Sequence, residues 1–269
     1  MRFLNHLTLG QYVPLQSFVH QLDPRCKILG VLCFMTGTFL VGDPRLFLYW
    51  GGILLVAALF SKLSLLLIFR GARPILLLVL FTVVLHLFFS EGTPLWSWGI
   101  LRITWEGIVG ATRMGLRLLF LVIFAGYLTL TTSPMELADG IESLFSPFRK
   151  IGFPAHEMAM MMTIALRFIP TLLDETDRIM KAQLARGANL EEGGPFRRLR
   201  AFVPVLIPLF LIVFQRAEDL AVAMDARCYT GGKGRTRMHP LRWNCNDTAV
   251  LGFCALALVL SLSLEKVVF

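Results

Sequence analysis

Long apolar runs separated by short polar segments make up most of the chain. Since a membrane-spanning helix needs about 20 apolar residues, the runs are candidates for transmembrane helices. They lie at 28–41, 46–60, 74–89, 108–130 and 248–264. The first run is short, and a polar turn around Asp43 and Pro44 separates it from the second. The pattern predicts an all-α integral membrane protein with about five transmembrane helices.

One long segment, 131–247, is rich in arginine and only locally apolar. It begins with the sequence Ser-Pro-Met-Glu at 133–136, which is typical of a helix start with a capping serine and a glutamate three residues later. A second, longer helix is predicted from Pro154 to about Ala185, with Pro170 inside it, and a third over about 201–226. We expect these amphipathic helices to lie on the cytoplasmic side.

The chain thus divides into three predicted regions. They are 1–130 with four transmembrane helices, 131–247 with the cytoplasmic helices, and 248–269 with the last transmembrane helix. The run 202–214 has two interpretations. It is apolar enough to cross the membrane, whereas Pro204, Pro208 and the flanking arginines favour a helix at the inner membrane surface.

Composition and charge agree with a membrane environment. The 269 residues are 56% hydrophobic and 16% charged, whereas soluble domains are about 25% charged. The net charge of +8 would suggest nucleic acid in a soluble protein, but the basic residues lie between apolar runs. With the N-terminus inside, the short inner segments hold Arg2, Arg25, Lys27, Lys62, Arg70 and Arg73, and the outer ones Arg45, Arg102 and Lys266. This asymmetry predicts a multi-pass protein with its N-terminus inside and no nucleic-acid partner.

Two predicted helix ends repeat each other. The segments 182–187 and 223–228 both read Ala-x-x-Ala-Arg followed by a small residue. The helix dipole favours an arginine at a C-terminus, which explains one such ending. Two matched endings suggest a shared role, because the guanidinium fork binds carboxylates bidentately. Arg186 and Arg227 could therefore enter two equivalent pockets of a two-fold or pseudo-two-fold partner.

Several segments also resemble a known family, the T component of energy-coupling factor (ECF) transporters. They are His20–Lys27 at the first span, Thr131–Pro134, Leu166–Pro170, Ala185-Arg186-Gly187 and Ala226-Arg227-Cys228. Cys228 stands where the family usually has glycine, which reduces backbone freedom at that position.

The resemblance implies a non-catalytic scaffold and coupling subunit of an ATP-driven importer of vitamins or transition metals. Two ABC-type ATPase subunits would dock on Ala185, Arg186, Gly187, Ala226, Arg227 and Cys228. A separate membrane subunit, the S component, would bind the substrate. ATP would be bound by the ATPases, so no cofactor or metal is expected on this chain. The expected location is the bacterial or archaeal cytoplasmic membrane.

Three methionines of the second helix, Met158, Met161 and Met162, have two interpretations. Methionine is commonly buried in a core. It also adapts to changing partners, so the same residues could contact the substrate-binding subunit.

Two other function classes, a secondary carrier or channel and a membrane enzyme, are the alternatives. A secondary carrier or channel would need ionisable groups within the membrane, and Arg113 and Arg117 are the candidates, one helical turn apart. A membrane metalloprotease is less well supported. His156-Glu157 begins a zinc motif, but Met160 stands where the second histidine is required.

Overall fold

The computed structural model describes residues 12–90, 92–98, 101–152, 154–188, 194–231 and 241–268. The α-helices are α1 Pro24–Leu40, α2 Leu46–Ser61, α3 Leu65–Phe89, α4 Trp105–Thr131, α5 Pro134–Phe145, α6 Ala155–Ala185, α7 Pro195–Ala226 and α8 Cys245–Val268. A 3₁₀ helix, Ser146–Ile151, follows α5. The predicted all-α class is confirmed. A short antiparallel hairpin, β1 Pro94–Trp98 with β2 Leu101–Thr104, lies between α3 and α4.

Among the residues that the structure describes, four helices are long and apolar enough to cross a membrane: α3, α4, α8 and the segment Leu199–Ala226 of α7. By contrast, α1 has 17 residues and α2 has 16. At 1.5 Å per residue they extend about 26 Å and about 24 Å, less than the hydrocarbon core of about 30 Å. Length and composition thus place α7, which includes the ambiguous run 202–214, among the candidate spans.

The predicted start of the third span, Pro74, was wrong. Helix α3 begins at Leu65, and Pro74 lies inside it rather than at its first turn. An interior proline removes one backbone hydrogen bond, a loss that transmembrane helices tolerate because neighbouring groups satisfy the freed carbonyl. Arg70 and Arg73 therefore lie in a helix and not in an inner loop. The charge asymmetry that supported the orientation is correspondingly smaller, and the orientation stays a prediction.

The chain forms two compact units, one from the described residues of 10–144 and 240–269, the other from those of 145–239. In the first unit, α4 packs against α1 and α3, and α1 packs against α8. Trp50 is fully buried at its centre. Its ring meets those of Phe34 and Phe124 edge-on, with centroids 5.7 Å and 6.4 Å apart. This aromatic cluster joins α1, α2 and α4.

A polar junction closes one end of this unit. The Asp23 N–H donates to Asp247 Oδ1 at 2.9 Å, which ties the start of α1 to the start of α8. The buried Lys27 ammonium donates to the carbonyl oxygens of His20, at 2.9 Å, and Thr131, at 3.2 Å. The segment that precedes α1 is thereby joined to the end of α4. The sequence His20–Lys27 thus forms the connection between three helices.

The predicted start of α5 is confirmed. The Ser133 N–H donates to Glu136 Oε2 at 3.2 Å, and the Glu136 N–H donates to Ser133 Oγ at 3.3 Å. This reciprocal pair is the capping box that the sequence indicated.

Candidate functional site

In the second unit, α6 and α7 pack side by side. Three contacts of α6 side chains join them: Gln183 Nε2 with the Pro204 carbonyl at 3.2 Å, Glu175 with Arg216 at 3.1 Å, and His156 with Tyr229, just after α7, at 3.4 Å. The later a residue lies in α6, the earlier its partner lies in α7. The two helices are therefore antiparallel, and their C-terminal ends point in opposite directions.

The first repeated ending is a Schellman motif. Helix α6 ends at Ala185, Arg186 is its C-cap residue, and Gly187 has a φ of +85°. The Gly187 N–H donates to the Leu184 carbonyl at 3.0 Å. The next N–H, that of Ala188, reaches back five residues to the Gln183 carbonyl, also at 3.0 Å. These bonds satisfy carbonyls that a helix end leaves unpaired.

The second ending has the same geometry. Helix α7 ends at Ala226, Arg227 is its C-cap residue, and Cys228 has a φ of +54°. The Cys228 N–H donates to the Asp225 carbonyl at 2.9 Å, and the Tyr229 N–H to the Met224 carbonyl at 3.1 Å. Each bond repeats one of α6 with 41 added to both residue numbers. Cys228 thus adopts the left-handed conformation that glycine adopts in the first copy, although its side chain disfavours it.

All six residues of the two endings are exposed. Within the described residues, neither Arg186 nor Arg227 forms an ion pair. Both guanidinium groups are therefore accessible to carboxylates of another molecule. The structure does not bring the two endings together. It places them at opposite ends of an antiparallel helix pair, as two separate sites.

The repeat extends beyond the endings to a pair that sequence reasoning missed. Glu175 and Arg216 lie eleven residues before Arg186 and Arg227, respectively, and they contact each other at 3.1 Å. Eleven residues correspond to about 16 Å of helix, so the two terminal arginines are at most about 33 Å apart along the pair. The sequence does contain a signal for this pair. One helix has an acidic residue and the other a basic residue at the same distance before the terminal arginine.

The three methionines lie near the start of α6 and are about half exposed, at 49%, 59% and 50% for Met158, Met161 and Met162. Ala159, between them, is buried. The methionine side chains therefore do not belong to the core of the chain. Because the helices are antiparallel and His156 contacts Tyr229, this surface lies beside the second ending, at the end of α7.

Arg113 and Arg117, the two arginines of the carrier hypothesis, lie in different surroundings. Arg117 Nη2 donates to the Val41 carbonyl, just after α1, at 2.8 Å, and its guanidinium lies 5.1 Å from the centre of the Phe39 ring. Arg117 therefore helps to close the C-terminal end of α1. The Nε atom of Arg113 is buried and has no hydrogen-bond partner in the described part of the chain. Neither observation indicates a transport path.

The chain matches known proteins over most of its length. A family model described as a cobalt transport protein, CbiQ, matches residues 16–239. An energy-coupling factor transporter transmembrane protein EcfT of Thermanaerovibrio acidaminovorans is 58% identical over 268 residues, which cover 100% of both chains. Proteins of the same name from Acidaminococcus fermentans and Clostridium kluyveri are 50% and 51% identical, covering 97% and 95% of each chain. The chain belongs to the T-component family of ECF transporters.

This membership confirms the resemblance that the sequence motifs indicated. A T component is the transmembrane protein of an ECF transporter, so the chain is a transport protein of the membrane and one component of a larger complex. The long apolar helices of this T component agree with that location.

Proposed function

We propose that this T component couples two ABC-type ATPase subunits to an S component that binds a vitamin or a transition-metal ion. ATP is bound and hydrolysed by the ATPases, and the T component itself is not catalytic. The chain lies in the cytoplasmic membrane of a bacterium with its N-terminus on the cytoplasmic side. Helices α6 and α7 lie on that side too, with α7 at the inner membrane surface rather than across the bilayer, as Pro204, Pro208 and the flanking arginines favour. The description of the matching family as a cobalt transport protein supports a metal ion among the possible substrates.

The observation that most supports this proposal is the equivalence of the two helix ends. Two pockets on two copies of an ATPase would require two copies of the same docking element on a single chain. Arg186 and Arg227 are presented by the same Schellman geometry and are exposed on helices of opposite direction. Each guanidinium would form a charge-assisted, bidentate pair with an acidic group in the ATPase pocket. The small neighbours Ala185 and Ala226 would allow close approach.

The S component is proposed to contact the exposed methionine surface of α6, formed by Met158, Met161 and Met162. This surface lies beside the second ATPase-docking end, so a movement of α6 and α7 driven by ATP would reach both partners. Methionine side chains accommodate a partner whose orientation changes during a cycle.

Two experiments test the proposal. Substrate uptake by the complete transporter should fall for Arg186→Glu or Arg227→Glu and should be lost when both are changed, whereas Arg167→Glu, at an exposed position of the same helix as Arg186, should retain it. Unchanged uptake in the double variant would exclude the docking role. For the methionine surface, a photoreactive residue at Met161 should crosslink to the S component. Crosslinks that form only within the T component would show that the surface is covered by its own chain.

A further inference from the structure

The first two turns of α7 combine exposed apolar side chains with exposed arginines. Residues 196–200 read Phe-Arg-Arg-Leu-Arg. Phe196 is 87% exposed and Leu199 is 66% exposed, and the side chains of Arg197 and Arg200 are exposed as well. Alternation of bulky apolar and basic residues on one helix is typical of segments that lie in the interface between a bilayer and water.

The charges of this segment are opposite to those that a helix start prefers. The N-terminal end of a helix carries a partial positive charge and favours acidic residues, but the first turn of α7 has none. In the described part of the chain, no acidic side chain forms an ion pair with Arg197 or Arg200. An anion that does not belong to the described chain would therefore relieve an unfavourable arrangement.

The apolar residues of the segment belong to a longer exposed stripe. At 100° per residue, Phe196 and Leu199 share a face with residues further along α7. These are Val203, Ile207, Phe210 and Phe214, all exposed. The opposite face of α7, with the buried Val205, packs on α6. The stripe requires an apolar environment, and the arginines border it at its beginning.

We propose that residues 196–200 bind anionic phospholipids of the membrane. Arg197 and Arg200 pair with the phosphate groups, whose oxygens match the guanidinium fork. Phe196 and Leu199 insert between the upper parts of the acyl chains. The binding holds the start of α7 at the membrane surface. This role goes beyond the proposed ATPase docking, because it uses different residues and a different partner.

The test uses the purified full-length chain in neutral detergent, without ATPases. Native mass spectrometry would measure the relative affinity for phosphatidylglycerol and phosphatidylcholine. Each basic residue near an anionic lipid surface raises the affinity for that lipid about five- to sixfold, so loss of two residues lowers the affinity about thirtyfold. We therefore expect Arg197→Gln with Arg200→Gln to lose the preference for phosphatidylglycerol by about thirtyfold.

Two control variants make the result specific. Lys150→Gln with Arg167→Gln removes the same charge from exposed positions of the same unit and should leave the preference unchanged. Arg197→Lys with Arg200→Lys should retain most of it. Equal affinities of the wild type for the two lipids, or an unchanged preference in the double glutamine variant, would overturn the proposal.

Discussion

Glu175 and Arg216 occupy equivalent positions in two helices and bind each other. Each lies eleven residues before the arginine that ends its helix, and Arg216 Nη2 donates to Glu175 Oε1 at 3.1 Å. Because the helices are antiparallel, a contact between equivalent positions lies near the axis that would relate the two copies. The two docking ends are then at equal distances from this contact, as two equal partners would require.

The Glu175–Arg216 pair should stabilise the packing of α6 on α7. Glu175 is mostly buried and Arg216 is partly exposed, so we expect a coupling free energy of about 1 kcal/mol. A double-mutant cycle with Glu175→Gln and Arg216→Gln, measured by unfolding in denaturing detergent, gives this value directly. The control cycle uses Asp177 and Lys181, an ion pair within α6, where we expect no more than about 0.5 kcal/mol. Additive effects at Glu175 and Arg216 would contradict a stabilising pair.

Replacement of Cys228 by glycine should stabilise the protein and retain ATPase binding. The left-handed conformation at Cys228, with a φ of +54°, costs a residue with a side chain about 1 kcal/mol, and glycine escapes this cost. Cys228→Ser is the matched control, because it removes the thiol and keeps the conformational cost. The free energy of unfolding should rise for Cys228→Gly alone. An equal value for the two variants would show that the conformation is not strained.

Gly37 should not tolerate a side chain. A Cβ added at Gly37 would overlap the ring of Trp50, and Trp50 is fully buried. Gly37→Ala should therefore lower the free energy of unfolding by about 1–3 kcal/mol through overpacking. Gly52→Ala, in α2, is the control. No atom lies within 4 Å of its Cβ position, so it should be neutral or stabilising by up to about 1 kcal/mol. Equal effects of the two changes would contradict the packing of α1 on α2.

Acid should destabilise the first unit, formed by 10–144 and 240–269, through His20. The His20 ring contacts Ser17 Oγ at 2.6 Å through Nδ1, while Nε2 is buried and has no hydrogen-bond partner among the described residues. Burial, and then the charge of Lys27, lower the pKa of His20 below its ordinary value of 6.5. A lowered histidine pKa means that protonation favours the unfolded chain. This contribution to stability is complete above about pH 6.5 and is lost as the pH falls below it.

The pH effect is measured by comparing unfolding of the wild type and His20→Asn at pH 7.5 and pH 5.5. The wild type should lose more stability between the two values than the variant, which has no group to protonate at this position. Identical losses would assign the acid sensitivity to other residues.

Local signals explain what the sequence predicted of the fold. The capping box at Ser133 and the endings at Arg186 and Arg227 depend on a few adjacent residues, so their positions were correct. Proline was a less reliable marker of the position where a helix begins. Pro134 does begin its helix, but Pro74 lies inside α3, because a transmembrane helix can satisfy the freed backbone groups in other ways. The β1–β2 hairpin was missed because its strands have only five and four residues, too few to show a clear alternation.

The candidate site was predictable in its parts and not in its arrangement. The repeat of Ala-x-x-Ala-Arg is visible in the sequence, but the antiparallel packing follows from contacts such as Gln183 with the Pro204 carbonyl. A contact between residues 41 positions apart, as for Glu175 and Arg216, has no local signature. The exposure of Met161 likewise depends on which face of α6 meets α7.

Co-purification is the most direct test of the docking role. The chain would be expressed with its ATPase subunits as wild type, as Arg186→Glu with Arg227→Glu, and as the control Lys150→Glu with Arg167→Glu, two exposed positions of the same unit. We expect the ATPases to co-purify with the wild type and the control and to be lost from the Arg186 and Arg227 variant. Retention of both ATPases by that variant would contradict the central claim and leave the two arginines as helix caps only.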